Sequence, residues 1–287
     1  MKKILLGLAA AGLGTMLAFS GANAAEEAHN AAEPTHFPIK KPAELDWTFA
    51  GPFGHYDKQQ LQRGLKIYKE VCSACHSMNL VPFRSLEELG YNEAQVKAFA
   101  AEYEVPDAPN ADGEIVNRKA IPADHFPSPF PNVQAAAAAN GGAAPPDFSL
   151  IAKARSAERG FPQFVFDIFT QYQEGGPDYI HALLTGYSET PPEGMEIAEG
   201  THYNPYFISA KALAMAPPLQ DGQVTYDDGS PATLAQYSQD ISAFLMWAAE
   251  PHLEERKKTG FRVMIFLVLF AGLVYLAKRR IWSDVPH

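Results

Sequence analysis

Cys72-Ser73-Ala74-Cys75-His76 is a C-x-x-C-H run, and its two cysteines are the only two in 287 residues. The spacing sets two thiols one helical turn apart, so both can add to the vinyl groups of one porphyrin edge, and the imidazole next in line can ligate the iron. One covalently bound haem c is the cofactor this pattern predicts. Two other chemistries use paired cysteines. A thioredoxin-like redox disulfide wants a strand before the motif and a lowered thiol pKa at a helix N-terminus, whereas here a helical pattern leads into the motif. A structural zinc needs about four ligands, and no second pair of cysteines exists to supply them.

Working outward, Asp57 is placed to cap a helix in which Leu61, Leu65, Tyr68, Cys72 and Cys75 recur at spacings of four and three, one apolar stripe that carries the cysteines on its buried face. Gly64 on that helix would permit a close crossing by another. Asn92, with Gln95 three residues on, predicts a second amphipathic helix bearing Val96, Phe99, Ala100 and Tyr103 on one side. An acidic loop follows, Glu102, Glu104, Asp107, Asp112 and Glu114, broken by Pro106 and Pro109; it is either a docking patch or a solvated loop. The prolines between Ile121 and Pro131 predict extended chain over the core.

Asn132 caps an alanine-rich helix ending at Gly141-Gly142, and Pro145-Pro146-Asp147 restarts a helical pattern carrying Lys153 and Arg155, cations suited to haem propionates or to solvent. Phe161–Tyr172 reads as an aromatic helix stopped by Gly175-Gly176, and Pro177–Gly186 as another with a glycine stop. Ser230, with Pro231 at the first helical position, is expected to cap a helix with Leu234, Tyr237, Ile241, Phe244, Leu245 and Ala248 on one side. That stripe is the natural partner of the helix leading into Cys72.

The two ends read as export and anchoring. Met1–Ala24 combines Lys2 and Lys3, an apolar run and Ala22-Asn23-Ala24, a signal peptide of bacterial appearance. Val263–Ala277 holds fifteen uncharged residues, extended by Phe261 and flanked by Arg262, Lys278 and Trp282, which predicts a single transmembrane helix. The domains expected are therefore a leader at 1–24, a periplasmic haem c domain at 25–250, a linker at 251–260, an anchor at 261–280 and a cytoplasmic tail at 281–287. The chain carries a formal charge of −10. Setting aside the leader's two lysines and the seven basic and three acidic groups after residue 250 leaves 14 basic against 30 acidic groups, or −16, in the exported domain. Such a surface disfavours nucleic acid and suits a basic soluble protein.

The sixth iron ligand is sought beyond Gly186, where periodicity fades. Met1 and Met16 leave with the leader, Met264 lies in the anchor, Met78 is too near His76, and Met246 belongs to a helical stripe. Met195 and Met215 remain, with His181 and His202 as chemical rivals. Met215 precedes Ala216-Pro217-Pro218, whose prolines hold the chain extended, and Met195 sits among charged and glycine neighbours.

Taken in order, Val71 to Met78, Ala144-Pro145-Pro146-Asp147-Phe148-Ser149-Leu150, Leu183 to Tyr187, Tyr203-Asn204-Pro205-Tyr206-Phe207, Met215-Ala216-Pro217-Pro218 and Phe244 to Pro251 resemble the cytochrome c1 family, the haem c subunit of quinol–cytochrome c oxidoreductase (the cytochrome bc1 complex). The resemblance covers essentially the mature chain. It implies a mostly α, class I cytochrome c-like haem domain with long loop insertions and one C-terminal transmembrane helix. It makes Met215 the axial partner of His76, and it places Arg155 and Tyr179 near a haem propionate. The metal ligands implied are thus His76 and Met215, the cofactor-binding residues Cys72, Cys75, His76, Met215, Arg155 and Tyr179, with no catalytic residue of the chain's own.

The function implied is single-electron transfer from a Rieske iron-sulfur protein to a soluble cytochrome c, alongside a cytochrome b subunit and membrane lipid, from the periplasmic side of a bacterial inner membrane. A membrane-tethered cytochrome c subunit of an oxidase, or a non-haem thiol oxidoreductase, are the alternatives. The stretch Ser156–Gly176 looks inserted relative to shorter family members.

Overall fold

Asp57 starts the first helix as expected: in the computed structural model its carboxylate accepts from the backbone N–H of Gln59 and Gln60, and α1 runs Lys58–Glu70. The structure describes residues 36–156, 159–170 and 172–284, without the side chains of residues 168 and 169. The leader at 1–24 and the last three residues of the tail lie outside the described residues. After α1 come α2 (Glu93–Ala100), β1 (Glu104–Pro106), β2 (Asn117–Lys119), α3 (Val133–Ala139), α4 (Ile151–Ala154), α5 (Gln163–Thr170), α6 (Gly175–Thr185), β3 (His202–Tyr203), β4 (Ala212–Leu213), α7 (Leu234–Ala249) and α8 (Leu253–Ile281). The protein is mostly α, with two short antiparallel ladders.

The core forms where α1 and α7 cross. Leu61, Leu65 and Tyr68 of α1 and Tyr237, Ile241, Phe244 and Leu245 of α7 are all buried, and each such side chain contributes about 1.5–3 kcal/mol by leaving water. The crossing is close because of Gly64: a Cβ there would stand 2.3 Å from the Asp240 carbonyl oxygen and 2.4 Å from Phe244 Cβ. One buried ion pair fixes the same crossing. Arg63 donates from Nε to Asp240 Oδ2 at 2.9 Å, while Tyr226 Oη donates to the same oxygen at 2.8 Å. Asp240 is fully buried, so removing Arg63 would strand a charge.

The proline-rich stretch wraps the core as extended chain. Phe126 is buried there against Phe83 and Tyr68, at ring separations of 4.5 and 5.7 Å, and Pro82 forms an isolated bridge with His125.

Several local expectations give way to tertiary structure. α1 stops at Glu70, and Cys72–Ala74 form a 3₁₀ turn in which Cys75 N–H donates to the Cys72 carbonyl at 3.1 Å. The cysteines are therefore half-buried on a turn beyond the helix. The acidic stretch is a β-hairpin, with Glu104 opposite Lys119, Val105 opposite Arg118 and Pro106 opposite Asn117.

Gly175-Gly176 opens α6 instead of stopping α5. A Cβ on Gly176 would fall 1.6 Å from the Ala152 carbonyl oxygen, so the glycine serves the packing of α6 on α4. Gly186 does end α6 as expected, but as a C-cap with an ordinary φ of −74°; its missing side chain leaves room for the Tyr206 ring and Asn204. Thr233 caps α7 in place of Ser230, because Asp221 Oδ1 reaches across to take the Leu234 N–H at 2.6 Å and sets the start there.

α8 begins at Leu253, within the stretch read as a linker, and its 29 residues extend about 43 Å. It is the one helix among the described residues long and apolar enough to cross a membrane. Its first turns are built into the body of the fold: Leu253 and Lys257 are buried, and Lys257 Nζ donates to the Phe49 carbonyl at 2.6 Å. At Phe261, which stacks edge-on against Phe53 at 5.8 Å, the helix leaves the domain.

Candidate functional site

The 3₁₀ turn at Cys72–Ala74 projects the C-x-x-C-H run from the end of α1. His76 N–H donates to the Cys72 carbonyl at 2.9 Å, and buried Tyr68 donates its hydroxyl to the His76 carbonyl at 3.1 Å. The motif thus closes on itself, and Tyr68 ties its far end back to α1. Both thiols are free.

The imidazole is held by a segment seventy residues away. His76 Nδ1 lies 2.9 Å from the Pro146 carbonyl oxygen, and the ring stacks on Phe148 at 3.9 Å and 16°. A carbonyl can only accept, so Nδ1 carries the proton and Nε2 keeps its lone pair. Burial lowers the pKa of His76, outweighing the opposing pull of Pro146 and Asp147, so the ring stays neutral at physiological pH. This is the tautomer and orientation that a metal-bound histidine needs, with the backbone carbonyl in the orienting role.

Asp147 locks that segment to the motif. Its carboxylate accepts from Ser77 Oγ at 2.7 Å, Asn79 N–H at 2.9 Å and Ser149 N–H at 2.8 Å, and Phe148 N–H donates to the Ser77 carbonyl at 2.7 Å. Burial pushes its pKa up, but the donors from Asn79, Ser149 and Ser77 together outweigh burial and hold it below the usual carboxylate value. A depressed folded-state pKa gives stabilisation that is complete above the unfolded value near ~3.9 and is lost as pH falls through the lower folded value. Asp147→Asn should therefore flatten the loss of stability below about pH 4, read from acid unfolding followed by circular dichroism; an unchanged acid limb would remove Asp147 from this role.

The Cys72 thiol is ill-suited to redox exchange. Burial, and secondarily Cys75, push the Cys72 thiol up to about 12, opposite to the depressed pKa of a reactive cysteine. Zinc lacks ligands: among the described residues no three His, Cys, Asp or Glu side chains gather at metal-binding distance. Two thiols three residues apart and one imidazole with a free Nε2, carried on one turn and the residue after it, fit a covalently attached haem.

Met215 lies half-buried just after β4, and Tyr187 Oη donates to its carbonyl at 3.0 Å. Met195 is equally half-buried, so exposure does not separate the two. Met78 and Met246 are fully buried in the core. His181 Nδ1 is 2.8 Å from Ser238 Oγ, and His202 sits in β3 opposite Leu213. The loop before Met215 is anchored by buried Asn204, whose Nδ2 donates to the Leu183 carbonyl at 2.7 Å.

Arg155 and Tyr179 do not touch directly. Tyr179 is buried on α6, hydrogen-bonded to the backbone of Ile208, and lies within electrostatic reach of Arg155. Among the described residues Arg155 makes one hydrogen bond, to the neighbouring Ala154 carbonyl at 3.3 Å, so most of its donors stay available there. Lys153, the other cation considered for propionates, is instead committed to Glu250 and Gln173. The inserted stretch has structural ties of its own: Tyr172 Oη donates to buried Asp178 at 2.9 Å, and Arg159 lies 4.0 Å over the Tyr172 ring.

Pro146, Asp147 and Phe148 are the site residues that the motif alone does not reveal. Nothing in their spacing from His76 marks them, and only the Pro-Pro pair signals a special backbone.

The sequence profile described as "Cytochrome C1 family" matches residues 47–285. The chain is 60% identical over 247 residues to "Cytochrome b/c1" of Bradyrhizobium diazoefficiens, covering 85% of this chain and 36% of that protein. It thus spans about a third of the length of that relative. It is 44% identical over 257 residues to "Cytochrome c1" of Rhodospirillum rubrum, covering 84% of this chain and 88% of that protein. With "Cytochrome c1" of Blastochloris viridis the identity is 47% over 244 residues, covering 83% and 86%.

Proposed function

Because this chain belongs to the cytochrome c1 family, we propose that it takes single electrons from a Rieske iron-sulfur protein and delivers them to a soluble cytochrome c within the cytochrome bc1 complex. Family members carry one covalently bound haem c, and the long apolar α8 anchors the chain in a membrane. Membership implies assembly with a cytochrome b subunit. In this reading the haem domain, residues 25–250, stands on the periplasmic side of a bacterial inner membrane, after a leader at 1–24 has been removed.

One observation supports the reading above the rest: the C-x-x-C-H turn presents both thiols beside an imidazole whose Nδ1 is already tied to Pro146. Cys72 and Cys75 would form the two thioether links, and His76 Nε2 and the Met215 thioether would be the axial donors. Haem, when bound, supplies a reversible one-electron centre, and a thioether donor favours the ferrous state and so a high potential. The chain's own work is to hold and shield. Pro146 and Phe148 fix the imidazole plane, Tyr68 and Asp147 brace the turn, and Tyr187 holds the Met215 loop. Arg155 and Tyr179 would meet the propionate edge, where a guanidinium with free donors suits carboxylates. No acid–base pair or nucleophile is needed.

The partner cytochrome would be guided by the acidic surface. In the hairpin, Glu102 pairs with Lys69, Glu104 with Lys119 at 3.3 Å and Asp107 with Arg118 at 3.3 Å, which leaves Asp112 and Glu114 exposed without an ion-pair partner among the described residues. The hairpin is thus a weaker attractor than its composition suggests, and the field of the whole domain carries the steering. The rate at which the reduced complex is oxidised by a basic cytochrome c should fall about tenfold or more between 50 and 300 mM salt, measured by stopped-flow absorbance. A salt-independent rate would reject charge-guided docking.

A further inference from the structure

We propose that the cleft between the haem domain and the top of α8 binds the headgroup of a zwitterionic ethanolamine phospholipid. The proposal rests on α8 crossing the membrane. The cleft encloses about 410 Å³ and is lined by Lys58 of α1, by Glu88, and by Glu254, Glu255, Lys258 and Arg262 of α8; its size suits a small polar ligand.

The order of charges along α8 selects the ligand. At 100° per residue the four α8 side chains share one face, and at about 1.5 Å per residue Glu255 stands about 10 Å further from the apolar span than Arg262. Carboxylates therefore lie on the outer side and cations on the membrane side. An ethanolamine phospholipid has the same polarity, with its phosphate near the glycerol and its ammonium further out in water. Below Arg262 the same face continues as Ile265, Phe266 and Leu269, all exposed, a surface along which acyl chains can lie.

Part of the cleft is already satisfied internally. Glu254 accepts from Tyr56 N–H at 3.0 Å and lies 3.7 Å from Lys258 Nζ, and Glu88 accepts from Trp247 Nε1 at 3.4 Å and lies 3.5 Å from His252. Lys58, Glu255 and Arg262 have no ion-pair partner among the described residues. Arg262 is left for a phosphate and Glu255 for an ammonium, and Lys58 adds a further unpaired cation to the lining. An anionic lipid with no cationic group would leave its headgroup facing carboxylates, which disfavours it here. A choline headgroup offers no N–H donor to Glu255.

The test uses the intact membrane complex, stripped of loosely held lipid in mild detergent and titrated with short-chain phosphatidylethanolamine, phosphatidylcholine or phosphatidylglycerol, with bound lipid counted by native mass spectrometry. The ethanolamine lipid should bind most tightly, and Arg262→Gln, Glu255→Gln and Lys58→Gln should each weaken it about tenfold, as expected for one charge-assisted contact. Lys58 and Glu255 are exposed, and haem content should be unchanged in these variants, which separates this test from that of the electron-transfer reading. Preference for phosphatidylglycerol, competition by inorganic phosphate at equal strength, or retention unaltered by all three substitutions would overturn the proposal.

Discussion

Met215→Leu is expected to leave the haem attached and the protein folded while lowering the midpoint potential by a sizeable part of the ~0.8 V range over which axial ligands tune haem. The substitution keeps side-chain volume nearly constant, so packing should cost less than ~1.5 kcal/mol. What disappears is the thioether. The Met215 backbone should hold its place, because Tyr187 Oη grips its carbonyl from outside the side chain. A redox titration followed at the α-band reads the effect directly. Met195→Leu is the control, since Met195 is equally half-buried; a fall in potential there, with none at Met215, would transfer the ligand role.

Replacing both thiols, Cys72→Ala with Cys75→Ala, is the second large effect. Neither sulfur carries a packing role comparable to that of buried Tyr68 or Met78, and both sit on a half-exposed turn outside α1. The polypeptide should therefore be made and inserted, yet carry no covalent haem and run colourless on a denaturing gel stained for haem peroxidase. Its thermal stability should drop as well, because a group that binds only the folded state stabilises it by mass action. Retention of covalent haem in the double variant would move the attachment site elsewhere in the chain.

How much of this was legible in the sequence depends on how far apart the participating residues lie. Asp57, Asn92 and Asn132 act as caps through side chains that reach only two or three residues, and all three do what their spacing announced. Ser230 failed as a cap because Asp221, thirteen residues before Leu234, captured the helix start. Gly176 read as part of a stop yet opens α6, and Gly186 does end that helix; both also let another backbone or ring approach. Such close approach leaves no local trace. Gly64 was legible as a crossing point because its neighbours already formed an amphipathic stripe.

The site divides the same way. Cys72, Cys75 and His76 are contiguous and carry their chemistry in their spacing. The groups that set the imidazole's tautomer and plane, Pro146 and Phe148 respectively, are joined to it only by the fold. Lys153 and Arg155 looked equivalent as partners for a propionate until tertiary structure tied Lys153 to Glu250 and left Arg155 without an ion-pair partner among the described residues. Met215 stood out only in part, since a methionine is also a common core filler and two candidates survived elimination.

The whole account turns on whether a porphyrin is joined to the turn at the end of α1. Intact-mass measurement of the chain isolated from membranes, with peptide mapping of the segment around residues 72–76, tests this most directly. The account predicts the added mass of one haem, held by two thioether links on Cys72 and Cys75. Unmodified cysteines on a chain of unaltered mass would contradict it.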